Sequence, residues 1–192
     1  MCTRLARLYG FFATPWGDGR VTVVAGQLVR VELPVDGRTW LAEAQGAVAE
    51  RGVDLAVDRW VEGLEAYFRG ERLTWSEEEV PLEAVAESDF QRAVYGALLS
   101  VAPGTTISYG QLAQEAGFPG AARAVGQAMA ANPVPVVIPC HRVVRSDGNL
   151  GGFGLGPSWK ERLLAHEKRV CGERARSGVA AAKTGWEREN RA

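Results

Sequence analysis

The C-terminal half of the chain holds residue types that can turn a thiol into a nucleophile. Cys140 is followed directly by His141, and the second of the two histidines, His166, is followed directly by Glu167. The thiolate is the reactive form of cysteine, and a histidine oriented by a carboxylate can produce it by taking the thiol proton. These residue types permit nucleophilic chemistry at Cys140, with His141 as the base and Glu167 as its orienting group.

Spacing alone does not establish such a site. Neighbouring side chains on a strand point to opposite faces, so Cys140 and His141 act together only if the backbone turns there or a water molecule bridges them. A lone buried cysteine is also more often inert packing than a nucleophile. From spacing alone, inert packing remains the default interpretation of Cys140.

The three cysteines, Cys2, Cys140 and Cys171, are widely spaced and include no CxxC pair. This pattern disfavours a disulfide framework and a zinc ribbon. A zinc site built from Cys2, Cys171 and His166 stays open as an alternative, although it lacks typical ligand spacing. A cysteine hydrolase is another alternative, although the flanks of Cys140 match no hydrolase signature.

The elements around Cys140 follow from prolines and glycines. Residues 134–138 are apolar and lie among three prolines, which exclude a continuous helix and predict a buried strand that ends at Cys140. Residues 148–156 contain five glycines and predict a tightly turned loop. Pro157 then predicts the first turn of a helix.

Two helices joined by a tight turn are predicted upstream of this segment. Ser108 and Gln111 fit a capping box that opens the first helix. After the turn at 118–120, a second helix made mainly of small residues is expected through about Ala131. The pair resembles a helix-turn-helix, which by itself would also suit a sequence-reading transcription factor. The alternative is a purely structural role, in which the second helix packs tightly in the core.

The first part of the chain is predicted to contain a small sheet and a helix that covers it. Alternating apolar residues in 21–24 and 28–33, linked by 25–27, predict a β-hairpin. An apolar stripe in 57–69, followed by Gly70, predicts the covering helix. The expected fold class is α+β, with this small N-terminal antiparallel sheet and a mainly helical C-terminal domain that carries the helix-turn-helix.

Domain boundaries follow from composition. Residues 73–87 lack a strong period and are interpreted as a linker, and residues 35–56 are expected to be partly helical. Ser88 opens a further helix through a capping box with Gln91. The expected division is an N-terminal α/β structural domain at 1–87, a second domain at 88–171 and a disordered tail at 172–192.

Composition and charge bound the class of protein. The 192 residues, 46% hydrophobic and 23% charged, suit one or two globular domains. No apolar run is long enough to cross a bilayer, so a cytoplasmic protein is expected, or a nuclear one in a eukaryote. Residues 1–87 carry 15 acidic against nine basic groups, whereas residues 88–169 carry eight basic against five acidic ones. The second part is therefore expected to meet any polyanion, and its charge permits DNA binding.

The residues around Cys140 also resemble a known active-site signature. The string Ile138-Pro139-Cys140-His141-Arg142-Val143-Val144, preceded by Asn132-Pro133-Val134-Pro135, is similar to that of the O6-alkylguanine-DNA alkyltransferases, also called methylated-DNA–protein-cysteine methyltransferases. The resemblance is dense from about Phe90 to Glu167. It implies irreversible transfer of an alkyl group from O6-alkylguanine in DNA to the cysteine, once per molecule, with no cofactor and no metal.

The resemblance implies roles for the catalytic residues. Cys140 matches the alkyl acceptor, and His141 matches a base that reaches it through water. Glu167 matches the partner of that histidine, and Asn132 matches the residue that braces the turn around the site. Tyr109 matches a tyrosine that helps to force the nucleotide out of the duplex, and its phenol could also neutralise the charge that develops on the leaving guanine.

Contact with double-stranded DNA is implied for the second predicted helix. In the family this helix enters the minor groove, and Arg123 matches the arginine that replaces the flipped nucleotide. Flipping is needed because a stacked base cannot present its alkyl carbon to a buried thiolate. The small residues Ala121, Ala122 and Gly126 would let the backbone approach the groove. A monomer with no membrane partner is expected.

The base is expected to enter a pocket formed by Pro139, Val143, Phe153, Gly154 and Leu155. Leu155 departs from the paired glycines of the family, so it either narrows the pocket or adds an apolar contact, and the accepted size of alkyl group stays open. The nearest alternative function is that of a non-catalytic alkyltransferase-like sensor of damaged bases. The presence of Cys140 argues against that alternative.

Overall fold

A computed structural model describes residues 6–34, 54–154 and 156–177. These residues form two compact units. The first consists of the described part of Met1–Glu87 together with Asn132–Ile138, and the second consists of Ser88–Ala131 and the described part of Pro139–Ala192. Within the described ranges, no helix has both the length and the apolar character needed to cross a membrane.

The first unit is built on a three-stranded antiparallel sheet. Strands β1 (Arg7–Thr14), β2 (Gly17–Val24) and β3 (Gln27–Glu32) pair in the order β1-β2-β3. The link between β2 and β3 is Ala25-Gly26, with φ values of 50° and 76°. Two consecutive positive φ values suit the tight hairpin turns whose twist matches that of the flanking strands. The predicted hairpin is confirmed, with Gln27 paired in the sheet rather than lying in the link.

Helix α1 (Leu55–Arg69) covers this sheet, as predicted. The Asp54 side chain accepts hydrogen bonds from the first turn, and Gly70 ends the helix at φ 78°. Gly70 suits this position because a left-handed backbone costs glycine little. The apolar stripe of α1 is buried, and it comprises Val57, Trp60, Leu64, Tyr67 and Phe68. Most of the partly helical segment expected at 35–56 lies outside the described residues.

The linker interpretation of residues 73–87 is wrong. Leu73, Trp75 and Val80 are buried, and a short helix α2 (Leu82–Val85) follows. The Trp75 ring stacks on Tyr67 of α1 with centroids 6.0 Å apart. The buried residues occur without a helical or strand period, so periodicity could not reveal a segment that packs as irregular chain.

The buried strand expected at 134–138 is also wrong. Asn132–Ile138 lies with the first unit, where the carbonyl of Pro133 accepts a 2.9 Å hydrogen bond from the Val31 amide. The segment forms a tight turn in which the Ile138 amide donates to the Val134 carbonyl at 3.0 Å and Val136 adopts φ 75°. Burial was predicted correctly, but the prolines produce a turn rather than an extended strand.

The second unit contains the predicted helices. Helix α3 (Asp89–Leu99) begins after Ser88, whose hydroxyl accepts a hydrogen bond from the Gln91 amide. Helix α4 (Tyr109–Glu115) begins with the predicted capping box of Ser108 and Gln111. A turn over residues 116–121 leads into helix α5 (Ala122–Ala131), which is tied to α3 because the Tyr95 hydroxyl donates to the Ala128 carbonyl at 2.9 Å.

The rest of the second unit surrounds Cys140. A 3-10 turn (Cys140–Arg142) leads into strand β5 (Val143–Val144), which pairs in parallel with strand β4 (Ile107–Ser108). The last helix, α6, spans Pro157–Arg176 and begins with proline as predicted. The disordered tail predicted from residue 172 is wrong for residues 172–176, which continue α6. Residues 178–192 lie outside the described part of the chain.

Candidate active site

Cys140 is the first residue of a 3-10 turn rather than the last residue of a strand. The Arg142 amide donates to the Pro139 carbonyl at 2.9 Å, which closes the turn. Because successive residues of a 3-10 turn are about 120° apart, Cys140 and His141 need not point to opposite faces. The Cys140 side chain is 5% exposed and lines a cavity, so its sulfur is sheltered but reachable.

His141 and Glu167 form a buried pair. Both are 0% exposed, and Nε2 of His141 lies 2.9 Å from Oε1 of Glu167. Burial raises the pKa of the Glu167 carboxyl, but the hydrogen bonds and charges of His141 and Arg142 outweigh burial and hold that pKa well below its usual range. An ionised carboxylate can only accept, so Nε2 of His141 donates. In the neutral ring, Nδ1 is then the nitrogen able to take a proton.

Arg142 also lies in this buried cluster, although its position was not predicted from the sequence. Its side chain is 1% exposed, and Nε and Nη2 donate to the Glu167 carboxylate at 2.7 to 3.2 Å. Nη1 donates to the carbonyl of Val101 at 2.6 Å. On the sequence Arg142 appears only as part of the signature string, and nothing in its spacing indicates that it shares a carboxylate with His141.

The Glu167 carboxylate is also held by the backbone. The amide of Gly104 donates to Oε2 of Glu167 at 3.0 Å. Gly104 has φ 73°, and a Cβ at this position would lie 3.2 Å from Sγ of Cys171. The turn after α3 thus needs a glycine both for its backbone and for its approach to α6. Glu167 is fixed from three directions.

A cavity of about 850 Å³ opens beside Cys140. Besides Cys140, six of its lining residues were predicted at the DNA contact or the pocket: Tyr109, Ala122, Arg123, Gly126, Phe153 and Gly154. The lining also includes residues that were not predicted: Ser108, Gly110, Met129, Ala130, Arg145, Ser146, Gly151 and Gly152. The turn between α4 and α5 therefore brings four of the five residues predicted to contact DNA to the same opening as the thiol.

Six described residues with a predicted role do not line this cavity: His141 and Glu167, which form the buried pair, and Asn132, Ala121, Pro139 and Val143. Ala121 lies in the turn before α5, whereas Pro139 and Val143 are buried on either side of the 3-10 turn. Asn132 lies in the first unit, where its side chain donates to the Ile138 carbonyl at 2.9 Å and accepts from the Val134 amide at 3.0 Å. Leu155, the fifth predicted pocket residue, is outside the described residues.

Tyr109 reaches the cavity because β4 pairs with β5. Ser108 of β4 lies opposite Val144, which places the next residue, Tyr109, beside the segment that follows Cys140. Burial and the charge of Cys140 raise the pKa of the Tyr109 phenol, against an opposing effect of Arg145. The phenol is therefore protonated near neutral pH and able to donate.

Lys160 of α6 is a second buried cation that the sequence analysis missed. It is 0% exposed, and its Nζ donates to the carbonyls of Val143, at 2.6 Å, and of Leu150. Nζ also lies 5.9 Å from the centroid of the Tyr109 ring. Burial lowers the pKa of Lys160, whereas the charge of Cys140 raises it. Lys160 thus joins the chain after Cys140 to the glycine-rich loop.

The zinc alternative requires three residues, of which the structure describes two. His166 and Cys171 lie on α6, and Cys2 is outside the described ranges. Among the residues that the structure describes, no three His, Cys, Asp or Glu side chains are grouped so that they could hold a metal ion.

Residues 89–169 match the family model described as the DNA-binding domain of 6-O-methylguanine DNA methyltransferase. A methylated-DNA–protein-cysteine methyltransferase of Mus musculus is 50% identical over 128 residues, which cover 63% of this chain and 59% of that protein. The corresponding protein of Mycobacterium leprae is 44% identical over 129 residues, which cover 67% of this chain and 70% of the relative. The chain thus spans less than two thirds of the mouse relative.

Solved structures agree with this assignment. A Mycobacterium tuberculosis OGT in complex with DNA has a TM-score of 0.67 and 33% identity, with 84% of this chain and 93% of the other covered. The O6-methylguanine-DNA methyltransferase of Pyrococcus kodakaraensis has a TM-score of 0.62 and 30% identity, with coverages of 84% and 99%. The family model spans the segment that carries Cys140 and its buried partners, and the relatives and solved structures point to the same family. The chain therefore belongs to the methylated-DNA–protein-cysteine methyltransferase family.

Proposed function

We propose that this protein repairs DNA by direct transfer of an alkyl group from O6 of guanine to Sγ of Cys140. The observation that carries the proposal is the position of Cys140, whose side chain lines a cavity while the next residue is held by a buried carboxylate. A displacement at carbon needs a sheltered thiolate and a space for the base. Family membership specifies which base is attacked.

The electrons and protons of this reaction balance within the site. His141 takes the thiol proton through a bridging water, and the Cys140 thiolate then attacks the alkyl carbon. The new S–C bond forms as the C–O6 bond breaks, and the electron pair of that bond stays with guanine. Tyr109 donates a proton to the departing base, and the proton held by His141 restores the phenol through solvent. No cofactor enters the balance.

The product explains why each molecule acts once. The alkylated Cys140 is a thioether, which water does not readily cleave, and no step of the reaction regenerates the thiol. The protein is therefore consumed stoichiometrically. The number of lesions repaired equals the number of protein molecules used.

Helix α5 is proposed to bind the minor groove of double-stranded DNA. Its cavity-lining side includes the small residues Ala122 and Gly126, which permit a close approach, and Arg123 is exposed and also lines the cavity. An arginine at the mouth of the cavity is placed to fill the gap left by a flipped nucleotide, which offsets part of the cost of unstacking. The protein is proposed to act as a monomer, inside the cell where its DNA substrate lies.

A mass measurement tests the proposal. Incubation with an oligonucleotide that contains O6-methylguanine should add one methyl mass to the protein, on the peptide that contains Cys140. Cys140→Ser should bind the oligonucleotide without gaining mass, while Cys171→Ser, a matched change at another thiol, should gain mass like the unmodified protein. Tight binding of the lesion without mass gain would instead support a damage sensor, and selective binding of an unmodified sequence would support a transcription factor.

A further inference from the structure

A buried arginine shares the carboxylate that orients the proposed base. His141 and Arg142 are consecutive in the chain, and both bind Glu167 from inside the second unit. All three side chains are at most 1% exposed. A buried carboxylate is costly unless it is paired and hydrogen-bonded, and breaking such a pair is costlier than the net gain from forming it.

The geometry of Arg142 exceeds what a simple charge pair requires. Its guanidinium donates to both carboxylate oxygens of Glu167, and its remaining Nη1 donates to the Val101 carbonyl at 2.6 Å. The planar guanidinium fixes both its own orientation and that of the carboxylate. Oε1 of Glu167 is thereby aimed at Nε2 of His141.

Burial and charges of both signs determine where a proton resides at the pair: burial lowers the pKa of His141, the charge of Glu167 opposes this, and the charges of Arg142 and Lys160 lower it further. The charged groups close to His141 are Glu167, Arg142 and Lys160. Cys140 precedes His141 in the chain. Cys171, which lies on α6 like Glu167, interacts electrostatically with the Glu167 carboxylate. Arg142 compensates the charge of Glu167. Without it, the histidine and carboxylate would carry a net negative charge in the interior and would attract a proton.

We propose that Arg142 is a positioning residue for alkyl transfer, which keeps Glu167 ionised and His141 neutral so that His141 can accept the proton of Cys140. This inference rests on the proposed function, because it assigns a task within that reaction. Arg142 does not line the cavity beside Cys140, and it acts through its contact with Glu167 and its charge beside His141. Its removal should therefore alter the pH dependence of transfer.

The direction of that change follows from electrostatics. Removal of a positive charge beside a histidine and a carboxylate raises the pKa of the coupled pair, whichever group takes the extra proton. A protonated pair cannot accept the thiol proton. The acid limb of the rate profile should therefore move to higher pH, and at a pH on that limb a shift of about one unit lowers the rate about tenfold.

The experiment measures the rate of methyl transfer to Cys140 against pH in the full chain. Arg142→Met removes the charge but keeps much of the length, and its acid limb should move up by about one pH unit or more. Arg142→Lys keeps the charge but loses the two-pronged geometry, so its maximum rate should fall while its acid limb stays in place. Arg169→Met, a change at an exposed arginine of α6, should match the unmodified protein.

The outcomes separate this inference from the proposed function. If the unmodified protein transfers no methyl group, the proposed function fails. If transfer is intact but the Arg142→Met profile falls by the same factor at every pH, or the limb of Arg142→Lys moves as well, Arg142 is only structural and the inference is overturned.

Nuclear magnetic resonance gives a test that needs no variant at Arg142. The chain has two histidines, so His166→Gln leaves the ring signals of His141 alone. Burial lowers the pKa of His141, so its ring should stay neutral near neutral pH, with its proton on Nε2. A protonated His141 near neutral pH would overturn the inference even if Arg142→Met does not fold.

Discussion

Nε2 of His141 and Oε1 of Glu167 lie 2.9 Å apart, although 26 residues separate them and neither side chain reaches solvent. The pair joins the 3-10 turn that begins at Cys140 to the middle of α6. An ionised Glu167 fixes the tautomer of His141, and with it the nitrogen that can act as a base. The proposed chemistry therefore depends on a contact that the chain makes only when folded.

Replacement of this carboxylate should damage both activity and stability. In Glu167→Gln the charge of Arg142 loses its partner, and breaking a buried ion pair costs about 3 to 5 kcal/mol of unfolding free energy. Methyl transfer should fall by about a hundredfold or more, which is the usual contribution of a positioned base. Denaturant unfolding and single-turnover transfer measure the two effects. A variant with normal transfer would show that Glu167 does not orient the base.

The same variant should change the stability of the protein in acid. The folded pKa of Glu167 lies below its unfolded value, so its contribution to stability is complete above about pH 4.3 and is lost as the pH falls below that value towards the folded pKa. The stability difference between the unmodified protein and Glu167→Gln should therefore narrow below about pH 4. A constant difference across this range would mean that the carboxylate is not the group that titrates.

The phenol of Tyr109 should matter for the leaving group rather than for the fold. Its pKa is raised by burial and by Cys140, so the hydroxyl is a donor throughout the neutral range. Tyr109→Phe keeps the ring near Lys160 and removes only the hydroxyl group. Transfer should slow by about a hundredfold or more, as for other general acids, with thermal stability nearly unchanged. A rate close to that of the unmodified protein would remove Tyr109 from the reaction.

Arg123 should be needed for duplex DNA and not for the chemistry itself. Arg123→Ala should slow transfer from an alkylated duplex more than transfer from the free alkylated base, since the free base needs no flipping. Arg176→Ala alters an exposed arginine at the end of α6 and should leave both rates unchanged. Equal losses on the two substrates would contradict a role for Arg123 in replacing the flipped nucleotide.

Asn132 should stabilise the turn that precedes Cys140 in the chain. Its side chain spans the turn by donating to Ile138 and accepting from Val134. Asn132→Ala should lower the unfolding free energy by about 1 to 3 kcal/mol for each backbone group left unsatisfied. Asn132→Asp retains the acceptor and loses the donor, so its loss should be intermediate if the aspartate stays ionised. Identical losses in the two variants would show that only the bond to Ile138 matters.

Local signals in the sequence determined most of the secondary structure. Ser108 and Gln111 form the predicted capping box, and Gly70 ends α1 at the expected place. These predictions succeed because a cap or an amphipathic stripe depends on residues a few positions apart. Residues 73–87 and 134–138 were predicted incorrectly, because irregular buried chain has no period and is held by distant contacts.

The sequence by itself also determined the family and the candidate nucleophile, since the residues that flank Cys140 are contiguous. Only the tertiary structure decided which charged groups surround them. Arg142 and Glu167 are 25 positions apart in the chain, and the hydrogen bond from Lys160 to the Val143 carbonyl joins residues 17 positions apart. Such pairs leave no mark in spacing, because they form when the 3-10 turn and α6 pack together and exclude water. The residues that flank Cys140 in the sequence thus identify it as the candidate nucleophile, and the residues that surround it in the folded protein determine its proposed reactivity.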